Sequence, residues 1–436
     1  MILSVLSLAA AFLLFYRVCV KEHFDAAFFY FFFFFLDFGV RPAFIAFSMD
    51  TPFPESLFLD GYYDEFIGVC LITVVWLLSF IPGYLIKSET AQMCFPIFPS
   101  INRNYSVYPI IIASVLLTSI SLFMISKAVI SAGGFIQAMI EIRIKGTLFG
   151  DFKFLKAIPL LSNYLSAITL LLILLHKTNL DRKLLALALI IFPLNILLTL
   201  VTGDRSGVVF PMVILFFGLS LRLTNRKRIF SFIVAGIFFV SLPLGLHAAR
   251  NLATGQSETD LTQKYSSLAR SLTKGLNLNN FDFMLLVYRD WATQGNMRYG
   301  EDFVNGTLGV IPRAIWKEKP TYIHPGHWFQ EHYRPESEGG WPIAAHGQWY
   351  LNYHFFGVIL GGFLSGIFYK SLNTHTNQLK KDPLSMAVRF ILTLHFGGII
   401  AQTPILFILW CIPMHLLWIA CRQNPFNYKL SVRTPN

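Results

Sequence analysis

Apolar runs of about twenty residues, separated by short polar connectors, recur from one end of the chain to the other. They fall near 2–20, 26–48, 65–86, 108–130, 157–176, 184–202, 207–222, 229–249, 347–370, 385–402 and 403–421. A helix rising 1.5 Å per residue needs roughly 20 apolar residues to cross about 30 Å of hydrocarbon, so the pattern predicts about eleven transmembrane helices. The first run lacks a basic lead-in and a small-residue cleavage site, and a second run follows at once; it reads as a retained span. The expected fold is all-α and polytopic. It has three parts: residues 1–249 with spans one to eight, a large polar loop over 250–346, and residues 347–436 with the last three spans and a tail.

Lysine and arginine orient such a bundle, because short cytoplasmic loops hold an excess of them. Lys177, Arg182 and Lys183 share one connector and Arg222, Arg226, Lys227 and Arg228 another. Lys370, Lys380 and Lys381 lie in a third, and Arg422, Lys429 and Arg433 in the tail. Alternate threading puts all four on one side. The acidic connector with Asp50, Glu55, Asp60 and Asp64 falls opposite, together with 131–156, the turn at 203–206 and the loop 250–346.

Composition narrows the class further. Of 436 residues, 55% are hydrophobic and only 14% charged, far more apolar than a soluble domain of this size. The net charge of +11 lies mainly on the cytoplasmic side, where anionic lipid accounts for it, and it does not call for nucleic acid. Five cysteines in or beside apolar runs, without paired spacing, suggest neither a disulfide framework nor a thiolate metal site.

Candidate chemistry gathers on the side opposite the basic connectors. Residues 199–210, TLVTGDRSGVVF, place Asp204 and Arg205 in a tight turn between two spans. In the simplest reading Asp204 caps the next helix and Arg205 snorkels to the headgroups. Other cations on the same side suggest more: Arg250 ends PLGLHAAR, Arg289 lies in VYRDW, and Arg313, Lys317 and Lys319 lie in IPRAIWKEKP. Several guanidinium groups converging on one cleft would hold a pyrophosphate in bidentate fashion.

The loop 250–346 is longer than a connector requires. An amphipathic stripe through Leu261, Tyr265, Leu268, Leu272 and Leu276 suggests a helix lying on the membrane or on the bundle. A second stripe, through Phe281, Met284, Leu285 and Tyr288, carries Arg289. Further on, TYIHPGHWFQEHYRPESEGGWPIAAHGQWY concentrates His324, His327, Glu331, His332, Glu338, His346 and Tyr350 among aromatics. That mixture suits a carbohydrate site, where rings stack on sugars and carboxylates accept hydroxyl protons. A metal held by His327, Glu331 and His332 is the competing reading, against which stand the lack of HExxH and the break at Pro325-Gly326.

Inside the spans, Asp37 and Arg41 sit four residues apart and are expected to neutralise each other. Gly357-xxx-Gly361 and Gly362-xxx-Gly366 predict a close helix approach. The run FFYFFFFF reads as lipid-facing bulk.

Taken in order, TGDRSG between mid-chain spans, GVIPRAIWKEKP in one large loop and HGQWYLNYHFFGVILGG where that loop re-enters resemble the Wzy-type O-antigen polymerases, which join oligosaccharide repeat units. The resemblance runs from about 130 to 370. It implies an all-helical membrane glycosyltransferase of the GT-C-like kind in the bacterial inner membrane, multi-pass, with its site facing the periplasm. The implied substrate is an undecaprenyl-diphosphate-linked oligosaccharide, with membrane lipid around the protein and a chain-length regulator as a candidate partner. Neither cofactor nor metal is implied.

The family's diphosphate-binding arginines would correspond to Arg205 and, more loosely, Arg250 and Arg313. Arg289 and Lys319 would assist, and His324, His327, Glu331 and Tyr350 would line the sugar site. Relatives often carry Glu where this chain has Gln348, so the base falls to His346 or, second, Glu338. Two rivals stand beside this reading: an O-antigen ligase passing glycan to lipid A, and a lipid-linked glycan flippase, against which the missing internal repeat and the one-sided loop count.

Overall fold

The computed structural model describes residues 1–20, 26–53, 55–94, 108–140, 142, 157–175, 182–202, 211–212, 214–215, 279–294, 297–308, 316–318, 330–333 and 343–374. Among the described residues every regular element is helical. Five helices are long and apolar enough to cross a membrane, at Ile2–Cys19, Tyr63–Leu85, Pro109–Ala132, Lys183–Val201 and Ala345–Asn373. The predicted spans near 229–249, 385–402 and 403–421 lie outside the described residues, as does most of the one near 207–222. The chain divides into two compact units.

The first unit takes Met1–Pro99, Ser257–Asn377 and Leu392–Cys411. Its helices are α1 (Ile2–Cys19), α2 (Ala26–Phe35), α3 (Arg41–Ala46), α4 (Tyr63–Leu85), α5 (Ser88–Cys94), and three from the second half of the chain. We label the latter α10 (Asn280–Gln294), α11 (Glu301–Leu308) and α12 (Ala345–Thr374). A π turn over Leu36–Val40 joins α2 to α3, so the predicted second span is one helix with a wide turn in its middle. Such turns interrupt the regular hydrogen-bond ladder and often mark functional positions. Here it holds Asp37 and ends immediately before Arg41.

The phenylalanine run is only partly lipid-facing, which corrects the expectation. Phe32 and Phe33 are exposed. Phe35 packs edge-on to Phe12 with ring centres 5.1 Å apart, and Phe31 stacks on Phe15 at 6.1 Å. One face of α2 is thus an aromatic seam against α1, because residues three and four apart share a helix face.

Helices α4 and α12 approach along glycines. A Cβ on Gly362 would stand 2.7 Å from the Trp76 carbonyl oxygen, and one on Gly366 would strike the backbone of Phe80 and Tyr84. Gly83 reciprocates, lying on the backbone of Phe363. Gly357 and Gly361 serve another purpose, since both lie against Trp349 of their own helix.

The second unit contains α6 (Tyr108–Ala132), α7 (Phe135–Ile140), α8 (Ala157–Leu175) and α9 (Arg182–Val201). A buried polar seam crosses its centre. Ser162 Oγ donates to Asn195 Oδ1 at 2.6 Å, and Asn195 Nδ2 donates to Thr118 Oγ1 at 2.9 Å. One shell away, Asn163 Nδ2 donates to Thr199 Oγ1 at 3.2 Å. Lipid offers no hydrophobic drive between helices, so such bonds and close packing hold them together.

Candidate functional site

In the first unit, polar side chains collect at the end where α3 stops and α4 starts. Arg41, the first residue of α3, is wholly buried. Its Nη2 donates to Asp282 Oδ2 at 2.7 Å and its Nε to Asp282 Oδ1 at 3.0 Å. Nη1 meets Asp50 Oδ2 at 2.7 Å, and Nη2 also reaches the Thr51 carbonyl at 2.8 Å. Asp282 accepts the Phe53 backbone N–H as well, at 3.0 Å. Arg41 therefore finds its counter-charges in Asp282 and Asp50, and this corrects the expected Asp37–Arg41 pairing. Asp37 Oδ2 instead takes Asn280 Nδ2 at 2.7 Å.

Asp282 lies in the first turn of α10, where the helix dipole favours a carboxylate. Burial nevertheless pushes its pKa up to about 6, against the opposing pull of Arg41. Desolvation can outweigh the attraction within a buried pair. What results is a lock joining three stretches of chain: the α2–α3 helix, the connector after it, and a helix from the long loop.

Helix α10 enters the body of this unit. All residues from Phe281 to Val287 are buried, so the predicted one-sided stripe is covered on every face. Tyr288 lies directly on Gly68 of α4, where any side chain would collide with its ring. Arg289 donates to Glu65 Oε1, to the Leu57 carbonyl and to the Gly61 carbonyl, each at 2.6 Å. Its guanidinium fastens the 55–62 connector to α10. The connector at 50–64 and the long loop, which charge counting assigned to one side, do meet.

Helix α12 is two helices. Tyr353 (φ −143°, ψ 17°) and His354 (φ 56°, ψ −148°) are non-helical, splitting it after Asn352. In an unbroken helix Trp349 and Gly361 would be about 18 Å apart. Here the Trp349 ring rests on Gly361. Residues 345–352 therefore fold back along the longer helix as a re-entrant piece, and the longer part after the break still spans about 30 Å.

His346 opens that piece, 0% exposed, with its ring centre 4.3 Å from Phe38, 5.2 Å from Phe34 and 5.8 Å from Trp76. Trp76 lies about 20 Å along α4 from Tyr63, so the imidazole sits within the helical layer and not at its rim. Among the described residues neither ring nitrogen has a hydrogen-bond partner, nor does either amide atom of Gln348 or the Trp349 indole nitrogen. At the other end of the piece, Asn352 donates to Asp302 Oδ2 at 2.9 Å and accepts the Gly300 N–H at 3.0 Å. Arg298 pairs with Asp302 at 2.7 Å.

Of the remaining candidates, Tyr350 is buried, its ring stacked on Tyr288 at 6.1 Å. Glu331 is exposed, on a short helical stretch whose neighbour His332 meets Asp290 at 3.1 Å. Arg205, Arg250, Arg313, Lys319, His324, His327 and Glu338 lie outside the described residues. Among the described residues no group of three or more His, Cys, Asp or Glu side chains is arranged to hold a metal ion.

Sequence reasoning missed Asp282, Asn280, Asp302 and Asn352. A signal for one existed: Asp282 interrupts the apolar string NFDFMLLV, and a carboxylate in such company needs a buried donor. No protein-family model, curated protein or solved structure matches the chain. Its own sequence and fold define a helical membrane protein.

Proposed function

We propose that this protein is a glycosyltransferase that polymerises lipid-linked oligosaccharide repeat units. It transfers the growing glycan from undecaprenyl diphosphate to a hydroxyl of the next lipid-linked unit. The observation that carries the reading is the way the long loop is used. Its helix α10 and its re-entrant end are built into the membrane unit, bringing His, Gln, Trp and Tyr side chains beside apolar helices. A reaction joining a lipid carrier to a hydrophilic glycan needs both surroundings together. The end of the unit bearing α10 faces the periplasm in this reading.

Arg205, Arg250 and Arg313 offset the charge that builds on the departing diphosphate, a task that needs no metal or nucleotide sugar. Lys319 assists them. His346 or Glu338 draws the proton from the attacking hydroxyl. Since His346 is enclosed by rings, this role requires its helix to move. Arg289, held by Glu65 and two carbonyls, has a structural duty beside any contact with substrate.

The test is the glycan profile of cells lacking the chain. Loss of a polymerase leaves single repeat units on lipid A, loss of a ligase leaves none, and loss of a flippase stops lipid-linked units from reaching the outer leaflet. Restoring the gene as Arg205→Ala or Arg313→Ala should leave single units. Long chains from both variants would overturn the diphosphate clamp.

A further inference from the structure

We propose that the re-entrant helix Ala345–Asn352 is a gate, held at its Asn352 end and swinging at Tyr353–His354 to release His346 and Gln348 from the bundle. That the gate admits a saccharide hydroxyl rests on the function proposed above; the motion does not.

Three features carry the inference. First, among the described residues five polar atoms on three neighbouring residues, His346, Gln348 and Trp349, are buried without a protein partner. Each such atom weighs against the closed state by roughly tenfold or more. Steps of about 100° per residue turn the Gln348 side chain away from the face that His346 and Trp349 share, so no single ligand could satisfy all three in place. Moving the whole helix would.

Second, the two ends of the helix are held very differently. Beside the break, the Arg298 N–H donates to the Leu351 carbonyl at 3.0 Å, and Asn352 is bonded to Gly300 and Asp302. The deep end rests on packing. The His346 ring sits among Phe34, Phe38 and Trp76, Gly347 faces the pliable thioether of Met284, and Trp349 lies on Gly357 and Gly361 with Phe303 beside it. Third, the joint is strained. His354 holds φ at 56° with ψ at −148°, a conformation that residues with a Cβ seldom adopt and that concentrates at working parts of proteins. A helix fixed at one end, strained at the joint and unsatisfied at the other end is built to pivot.

Chemical labelling tests this without reference to any reaction. Gln348→Cys is introduced into the full chain in detergent, and its modification by a small polar thiol reagent is followed by mass spectrometry. The native Cys19 and Cys70, both buried, serve as internal controls. The gate predicts that the thiol introduced at position 348 reacts at least ten times faster than either. Adding His346→Phe removes two unpartnered nitrogens while keeping a ring in the aromatic box, and should slow that reaction roughly a hundredfold without lowering Tm. In the unaltered chain, carbethoxylation of His346 should likewise outpace modification of Cys19 and Cys70 by their own reagent, relative to each group's rate in the unfolded chain.

An introduced thiol that reacts no faster than the controls, or at a rate untouched by His346→Phe, overturns the gate. So does unaltered protein in which His346 stays unmodified until the chain unfolds. Polymer formation by purified protein is scored separately. Opening without polymer removes the proposed function and leaves the gate, whereas polymer without opening does the reverse.

Discussion

Replacing Arg41 with Met removes a single cation that serves two carboxylates, and the structure sets the size of the effect. The guanidinium donates to Asp282 through Nε and Nη2, to Asp50 through Nη1 and to the Thr51 carbonyl through Nη2 as well, with side-chain exposures of 1%, 0% and 4% for Arg41, Asp282 and Asp50. Summing charge-assisted bonds would overshoot, because the same groups are well solvated in the unfolded chain. Breaking a buried pair costs about 3–5 kcal/mol, chiefly by leaving a charge without compensation. For a unit of this size that lowers Tm on the order of 10 °C.

The sign with pH provides a second check. Asp282 already titrates near 6 in the folded chain, above its ordinary 3.8. Without Arg41 it rises further, so the stability tied to its protonated form is present below about pH 4 and lost as pH rises through the folded value. Thermal unfolding of Arg41→Met in detergent should therefore show a larger deficit at pH 8 than at pH 5. The double variant Arg41→Met, Asp282→Leu should recover much of the loss. A deficit under about 1 kcal/mol, or one that ignores pH, would refute the electrostatic account.

Other substitutions probe separate parts of the fold. Gly366→Leu drives a side chain into the backbone of Phe80 and Tyr84, so the first unit should lose about 3 kcal/mol or fail to accumulate, as read by monodisperse yield. Asn195→Ala severs α9 from Thr118 and Ser162 and should cost about 1–2 kcal/mol in thermal unfolding. Arg289→Ala frees the connector at 55–62, so proteolysis there should quicken and stability fall by about 1–2 kcal/mol. If Arg289 acted only on a ligand, neither measure would change.

The aromatic run on α2 shows what hydrophobicity alone conveys. Placing it in the membrane requires only that its residues be apolar, but separating Phe32 and Phe33 at the lipid from Phe31, Phe34 and Phe35 in the packing requires knowing where α1 and His346 stand. Arg41 is a similar case. A charge in a span must be compensated, and its own helix offered Asp37 as the nearest answer. The two partners used lie off that helix, Asp50 in the connector nine residues on and Asp282 in a loop helix 241 residues away. Local spacing limits which groups can meet along one helix; it carries no information about a helix arriving from elsewhere.

What the sequence determined is the position and extent along the chain of the helices it spells out as apolar runs. Spans expected near 2–20, 65–86, 108–130, 157–176 and 184–202 became α1, α4, α6, α8 and α9 with ends moved by two residues or fewer, because transfer from water to hydrocarbon depends on composition summed along a stretch. Tertiary structure decided what that sum does not contain. The apolar run after residue 346 reads as one span, yet it breaks at His354 and doubles back, since Trp349 finds the flat surface of Gly357 and Gly361 and Asn352 finds Asp302. Those contacts offset a strained backbone and buried groups without partners. Only the assembled unit supplies them.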